Sequence, residues 1–165
     1  MDTVSKETKQ QKKVLILENI RSTLNVGAIF RTADAIGIDK IFLCGITPAP
    51  IDRFGRKRRD VAKSALGAEE SVEWEHMLSA QVCVEALKKE GFEVVVLEQT
   101  KQSVDYKTVT PKQKTAVILG NEVDGVSETL LALTDVAVEI PMMGIKESLN
   151  VSVSAGILLY RLFDR

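Results

Sequence analysis

The sequence predicts an α/β fold in which a parallel β-sheet is covered by helices on both faces. Short apolar runs rich in Val, Ile and Leu alternate along the chain with segments of helical periodicity. The runs are continuously apolar, which is typical of parallel strands that are buried on both faces. Of the 165 residues, 45% are hydrophobic and 27% are charged, so a single domain spanning residues 1–165 can bury a sizeable core.

The first half of the chain predicts a strand, a helix and a second strand. Residues 14–20 form the first apolar run and residues 40–46 form the second. Between them, residues 25–37 predict a helix that Asn25 caps and Gly37 ends. Its apolar face is formed by Val26, Ile29, Phe30 and Ala33.

The second half predicts three more strands, at residues 92–99, 115–120 and 136–142. A helix at residues 77–91 precedes them and ends in glycine, with two lysines near the negative end of its dipole. A short helix is predicted at residues 126–134. The last helix is predicted at residues 148–163, with Ser148 as its N-cap and Asn150 in its first turn.

Composition outside these elements predicts a cytoplasmic protein. Residues 1–13 are polar and predict a flexible tail rather than a signal peptide, and no apolar run is long enough to span a membrane. Cys44 and Cys83 lie in apolar surroundings, so we expect both to be buried free thiols in a reducing compartment.

One segment of the chain is strongly basic although the net charge of the whole is −1. It overlaps residues 47–60, which predict a long loop or a loop with a frayed helix. Its cations are Arg53, Arg56, Lys57, Arg58, Arg59 and Lys63. Grouped cations can bind nucleic-acid phosphates, and Phe54 among them can stack on a base. A solvated loop without a ligand is the alternative interpretation.

Three joints that follow predicted strands are unusually polar. They read ENIRSTLNVGAIFR after the first strand, GNEVDG after the fourth and PMMGIKESLN after the fifth. Ligands of α/β sheets bind beyond the carboxyl ends of strands, so these joints are the candidate site. The glycine patterns of dinucleotide and phosphate loops do not occur in the sequence. His76, the single histidine, has no sequence context for a metal site or a serine triad, so we expect it to be a surface or helix-start residue.

In order and spacing, these joints resemble the three motifs of the SpoU (TrmH-type) branch of the SPOUT RNA methyltransferases. The matching segments are NIRSTLNVGAIFRTADAIGIDKIFLCG, VILGNEVDGVSETLL and VEIPMMGIKESLNVSVSAGILLYRL, and SALGAEESVEW also looks like that family. The resemblance covers residues 14–162. It implies a C-terminal deep trefoil knot that binds S-adenosylmethionine and a homodimer with the active site at its interface. The implied reaction is methylation of a ribose 2′-hydroxyl in RNA, without a metal.

The resemblance also implies roles for residues of this sequence. Arg31 would stand near the acceptor ribose and phosphate, either as the base or as a stabiliser of the developing alkoxide. Asn25 would position the ribose or hold Arg31, and Glu122 would fix Arg31 or a partner across the dimer. Ser148 and Asn150 would face the site from the start of the last helix and complete the catalytic set.

The cofactor site that the resemblance implies consists of backbone donors and acceptors on two loops, with apolar side chains around the adenine. Its residues are Leu119, Gly120, Asn121, Ile140, Met142, Gly144, Ser148 and Leu149. Gly120 and Gly144 are expected to let the backbone approach the ligand closely. The RNA would be held by the basic segment and by the N-terminal lysines.

The expected RNA is tRNA, because minimal members of this family tend to act on tRNA, and ribosomal RNA is the alternative. Two further interpretations stay open at this point. One is a non-catalytic RNA-binding knot protein, and the other is a small nucleotide-binding α/β domain of unrelated chemistry.

Overall fold

Seven strands form a single sheet in the computed structural model, which describes residues 10–164. In chain order they are β1 (Lys12–Glu18), β2 (Lys40–Cys44), β3 (Glu73–Met77), β4 (Glu93–Leu97), β5 (Val104–Asp105), β6 (Lys114–Leu119) and β7 (Val136–Glu139). Across the sheet the order is β3-β2-β1-β6-β4-β7-β5, and every neighbouring pair is parallel. The predicted parallel sheet is confirmed.

Helices cover both faces of this sheet, as the continuous apolar strands predict. They are α1 (Thr23–Ile36), α2 (Arg59–Ala65), α3 (Ala68–Ser71), α4 (Ala80–Lys89), α5 (Glu128–Leu131) and α6 (Val151–Phe163). One core cluster joins the sheet to α1, α2, α3 and α6, and the second joins it to α4 and α5. Strand β1 shows why two clusters form, because Leu15 and Leu17 belong to the first while Val14 and Ile16 belong to the second.

Two helix starts differ from the sequence prediction. The N-cap of α1 is Ser22, whose hydroxyl accepts a hydrogen bond from the Asn25 amide, so Asn25 lies inside the first turn. The N-cap of α6 is Asn150, whose side-chain oxygen accepts from the Ser152 and Val153 amides, and Ser148 lies before the helix. In both places several cap-forming residues stand close together, and the tertiary contacts of Asn25 and Asn150 select which one caps.

Strands β3 and β5 were not predicted from the sequence. Strand β3 pairs only with β2 at the edge of the sheet, and its sequence EWEHM is mostly exposed, so it carries no apolar run. Strand β5 has two residues at the opposite edge, which is too short for a pattern. His76 lies in β3 and is exposed, as expected of a surface residue, with its ring nitrogen 3.0 Å from the Gly45 carbonyl oxygen.

Both cysteines are buried free thiols, as predicted. Cys44 ends β2 and Cys83 lies on α4 in the same core cluster. A hydrogen bond with Cys44, together with burial, raises the pKa of the Cys83 thiol far above its ordinary value. The Cys83 thiol therefore stays protonated, and both cysteines serve the packing of the core. Within residues 10–164, no helix combines the length and the apolar character that crossing a membrane requires.

Candidate active site

The three polar joints lie at the carboxyl edge of the sheet, and the second and third of them meet beyond β4, β6 and β7. A cleft of about 690 Å³ opens there. It is lined by residues 97–100, 119–126 and 147–151, together with Leu131, Glu139, Ile140, Met142 and Ser154. The cleft therefore lies at the edge of the sheet where α/β proteins bind ligands.

The cleft is acidic. Its charged lining residues are Glu98, Glu122, Asp124, Glu139 and Glu147, and no lysine or arginine among residues 10–164 lines it. Carboxylates without balancing cations disfavour an anionic ligand such as a nucleotide phosphate, and they favour a ligand with positive charge.

The 120s loop (residues 120–125) closes on itself through Asn121. The side-chain oxygen of Asn121 accepts from the amides of Val123 and Asp124, and its side-chain nitrogen donates to the Asn19 carbonyl oxygen at 2.7 Å. Backbone bonds with Gly125 complete the turn. At Gly120 a Cβ would lie 2.6 Å from the Val126 amide nitrogen, so the glycine is required for this close approach within the loop itself.

Glu122 projects from the 120s loop to the start of α1. Its carboxylate accepts hydrogen bonds from the amides of Arg21 and Ser22, at 3.0 and 3.1 Å, and from the side-chain nitrogen of Asn25 at 3.2 Å. Partial burial opposes ionisation, but these hydrogen bonds outweigh it and hold the pKa of Glu122 below its ordinary value. Glu122 thus joins the second joint to the first as an ionised group.

Asn25 and Asn150 extend this link to the third joint. The side-chain nitrogen of Asn150 donates to the side-chain oxygen of Asn25 at 3.1 Å, while the side-chain oxygen of Asn150 caps α6. The hydrogen bonds from Glu122 to Asn25 and from Asn25 to Asn150 therefore connect residues that are about one hundred or more positions apart in sequence. Asn25 holds Glu122 and Asn150 in this arrangement, and it does not hold Arg31.

Most of the implied cofactor residues line the cleft. They are Leu119, Gly120, Asn121, Ile140, Met142, Ser148 and Leu149. Gly144 does not line it, and nothing lies within 4 Å of the position that a Cβ on Gly144 would take. The reason is that the 140s loop (residues 141–149) bends outward there, with Met143 and Ile145 94% and 96% exposed.

Arg31 lies on the exposed surface of α1 and does not line the cleft. Within residues 10–164 its side chain has no hydrogen bond or ion pair, and Asp34, the nearest acid along the helix, accepts from Ser71 instead. Glu122 is committed to the start of α1, so it does not fix Arg31 within the chain. Arg31 is thus an exposed cation without an ion pair to any of the residues that the structure describes.

Half of the basic segment is paired with acids. Arg56 pairs with Asp52, Lys57 with Glu70 and Arg58 with Asp60. The guanidinium groups of Arg53 and Arg56 both lie over the Phe54 ring, at 4.8 and 5.0 Å from its centroid. Arg59 and Lys63, which lie four residues apart on α2, have no ion-pair partner among residues 10–164. These two are the cations most available to a phosphate.

The segment that follows β4 was not predicted to belong to the site, and its residues Glu98 and Gln99 line the cleft. The Glu98 carboxylate accepts from the Val126 amide at 2.8 Å, and the Gln99 side chain donates to the Glu147 carbonyl oxygen at 2.9 Å. Both residues line the cleft. Their position at a strand end beside a second polar run, QTKQS, was the available signal.

The fold and the acidic cleft define an α/β protein with a ligand site at the carboxyl edge of a parallel sheet. A model of the SpoU rRNA Methylase family matches residues 12–160. The chain belongs to this family.

Similarity to individual proteins supports the same family assignment. The chain is 30% identical over 152 residues to a tRNA (guanosine(18)-2′-O)-methyltransferase of Escherichia coli K12, which covers 92% of the chain and 63% of that enzyme. It superposes with a TM-score of 0.79 on the A. aeolicus TrmH/SpoU tRNA modifying enzyme, at 30% identity over 93% of this chain and 75% of that one. An AdoMet-bound rRNA methyltransferase from Sinorhizobium meliloti gives a TM-score of 0.83 at 26% identity, over 93% of this chain and 56% of that one.

Proposed function

We propose that this protein is an S-adenosylmethionine-dependent enzyme that methylates a ribose 2′-hydroxyl in RNA. The observation that carries the proposal is the acidic cleft at the carboxyl edge of the sheet, in a chain of the SpoU family. The E. coli relative is a 2′-O-methyltransferase and the S. meliloti neighbour binds AdoMet, which supports the same reaction and cofactor here.

The residues of the cleft fit this cofactor. S-adenosylmethionine supplies a methyl group on a positively charged sulfur. The carboxylates of the lining complement that charge, and apolar Leu119, Ile140, Met142 and Leu149 offer surface for an adenine ring. Ser148 and backbone groups of both loops are available to the polar parts of the ligand, while the Asn121 side chain shapes the 120s loop.

The remaining site residues have roles that follow from their contacts. Glu122 and Asn25 hold the start of α1 against the 120s loop, and Asn150 ties α6 to the same point. We assign these three to positioning the acceptor ribose beside the cofactor cleft. Ser148 lies on the rim of the cleft, before the cap of α6.

Arg31 is assigned to the RNA. A ribose hydroxyl is a weak nucleophile whose proton must leave as the methyl group arrives. Arginine stays protonated in proteins, so it suits the stabilisation of a developing alkoxide and the binding of a phosphate better than proton removal. Since Arg31 is exposed on α1 and lies outside the cleft, it would act on RNA that lies across the α1 surface, at the interface of a homodimer.

The knot and the dimer belong to the same proposal. The sheet order, in which β6 lies between β1 and β4 and β7 between β4 and β5, supports a knotted C-terminal half. Large apolar side chains are exposed on α1 and α6, namely Leu24, Val153, Ile157 and Tyr160. Such a surface supports contact with a second copy.

The substrate we propose is tRNA, with ribosomal RNA as the second candidate. The E. coli and A. aeolicus relatives act on tRNA, whereas the S. meliloti neighbour is an rRNA methyltransferase. The exposed cations Arg53, Arg59 and Lys63 supply contacts to RNA phosphates. Cytoplasmic location stays a prediction.

The reaction is tested with methyl-labelled S-adenosylmethionine and unmodified tRNA or, separately, ribosomal RNA. Alkali does not cleave next to a 2′-O-methyl ribose, so label in an alkali-resistant dinucleotide is the expected result and identifies the substrate class. Cofactor binding without label in either pool would favour the non-catalytic RNA-binding protein. A protein that does not bind the cofactor in calorimetry would contradict the proposal.

The same assay tests the role of Arg31. Arg31→Ala should reduce methyl transfer by about two orders of magnitude or more, since it removes an electrostatic stabiliser of the reacting oxygen. Affinity for the cofactor should stay unchanged, because Arg31 does not line the cleft. Near-normal turnover of the variant would refute this assignment, and Arg31→Lys serves as the charge-conserving comparison.

A further inference from the structure

The 140s loop forms one wall of the cleft but is poorly anchored. Among the described residues 141–149, the only hydrogen bond is the one that the Glu147 carbonyl oxygen accepts from the Gln99 side chain. Neither Lys146 nor Glu147 forms an ion pair within residues 10–164. A segment with so few contacts opens at low free-energy cost unless something holds it.

Gln99 itself is firmly placed by its neighbour Glu98. The Glu98 amide donates to the Val138 carbonyl oxygen at 3.0 Å, which fixes the backbone against β7. One carboxylate oxygen of Glu98 accepts from the Gln99 amide at 3.1 Å, and the other accepts from the Val126 amide at 2.8 Å. The base of the Gln99 side chain is therefore fixed both to the sheet and to the end of the 120s loop.

We propose that Gln99 is a positioning residue for the cofactor, because it holds the 140s loop in the conformation that completes the cleft. The proposal rests on the proposed function, since the ligand of the cleft is taken to be S-adenosylmethionine. The apparent affinity of a site falls with the fraction of molecules that have the competent conformation. By raising that fraction, the bond between Gln99 and Glu147 tightens binding without any contact to the reacting atoms.

The test measures affinity for S-adenosylmethionine by calorimetry with the full chain. Gln99→Ala should weaken binding by about three- to tenfold, the loss expected for one hydrogen bond that orders a loop. The matched control is Gln102→Ala, an exposed glutamine three residues further on whose side chain has no partner within residues 10–164. The control should bind as the wild type does, and equal affinity of all three proteins would overturn the proposal.

A charged substitution at Gln99 distinguishes two roles of this residue: holding the 140s loop through a hydrogen bond, or only lining the cleft. Gln99→Glu adds a negative charge beside a cationic ligand but removes the N–H donor, so it leaves an acceptor facing the Glu147 carbonyl oxygen. A tether predicts that Gln99→Glu weakens binding at least as much as Gln99→Ala. Tighter binding than in Gln102→Glu, which carries the same added charge, would mean that Gln99 only lines the cleft.

Two further readouts distinguish positioning from general stability. Hydrogen exchange of peptides covering residues 141–149 should accelerate in Gln99→Ala and not in Gln102→Ala, while the core strands keep their protection. The KM for the cofactor should rise with kcat near the wild-type value at saturation. If the wild type fails to bind S-adenosylmethionine, the proposed function fails. If the wild type binds S-adenosylmethionine and the Gln99 variants bind it equally well, the proposed function stands and the role of Gln99 is refuted.

Discussion

Glu122 illustrates how one exposed carboxylate organises the candidate site. Two backbone amides and the Asn25 side chain donate to it, and Asn25 in turn accepts from Asn150. The three donors explain the lowered pKa of Glu122, because each stabilises the ionised form. A group with a lowered pKa in the folded state adds stability that is complete above its unfolded pKa. That stability is lost as the pH falls through the folded pKa.

We predict that Glu122→Gln lowers the free energy of unfolding by about 1 kcal/mol at pH 7, the range of an exposed hydrogen-bonded charge screened by solvent. The difference from the wild type should shrink as the pH falls below the ordinary value of 4.5, because the wild-type carboxylate then becomes protonated. Urea unfolding between pH 7 and pH 3 measures this difference.

The matched control is Glu90→Gln, which removes the same charge from an exposed side chain without a partner among residues 10–164. It should leave the free energy of unfolding within about 0.5 kcal/mol of the wild type. A pH-independent difference for Glu122→Gln would mean that the ionised state of Glu122 does not contribute to stability.

At the scale of elements, α2 and the loop before it carry two kinds of cation. Some form ion pairs with acids of the chain, and others have no ion-pair partner among residues 10–164. Lys57 and Arg58 are satisfied by Glu70 and Asp60, so binding RNA with them requires breaking an ion pair. Arg59 and Lys63 lie one turn apart on the exposed side of α2. Neither has an ion pair within residues 10–164 that RNA binding would have to break. The six basic residues of this segment are therefore not equivalent.

We predict that Arg59→Ala with Lys63→Ala weakens RNA binding and lowers the slope of log affinity against log salt by about one to two, one phosphate contact for each lost cation. Lys57→Ala with Arg58→Ala removes the same charge and should have a smaller effect. Filter binding at several salt concentrations measures both slopes. Equal effects of the two pairs would show that ion pairing within the chain does not govern contact with RNA.

At the scale of the whole molecule, the exposed apolar residues of α6 form a single stripe. Val153, Ile157 and Tyr160 follow at helical spacing, and Leu24 on the adjacent α1 extends the surface. The opposite face of α6 is fully buried in the first core cluster. A helix that is apolar on both sides is typical of an element placed between a core and a partner.

We predict a dimer at micromolar concentration in light scattering after gel filtration. Ile157→Asp should give a folded monomer, because a charge in the centre of an apolar interface is costly to bury. Leu78→Asp, at an exposed leucine before α4 and away from this stripe, should remain dimeric. A monomeric wild type would contradict the dimer and, with it, the placement of Arg31 at an interface.

The parallel sheet, the central strands and the three polar joints were predictable from the sequence. Each of these rests on local information: continuous apolar runs identify strands buried on both faces, and glycine with polar residues marks the joints. The edge strand β3 was not predicted, because an exposed strand needs no apolar run. Its pairing with β2 is visible only in the folded structure.

The connections between the joints depend on tertiary contacts and were not predictable from the sequence. Glu122 bonds to residues about one hundred positions earlier, and Gln99 supports a loop nearly fifty positions later. Such contacts produce no periodic pattern in a single sequence, because they depend on the order of the strands in the sheet. The same reason explains why Asn150 rather than Ser148 caps α6, since the Asn150 side-chain nitrogen donates to Asn25 across the site.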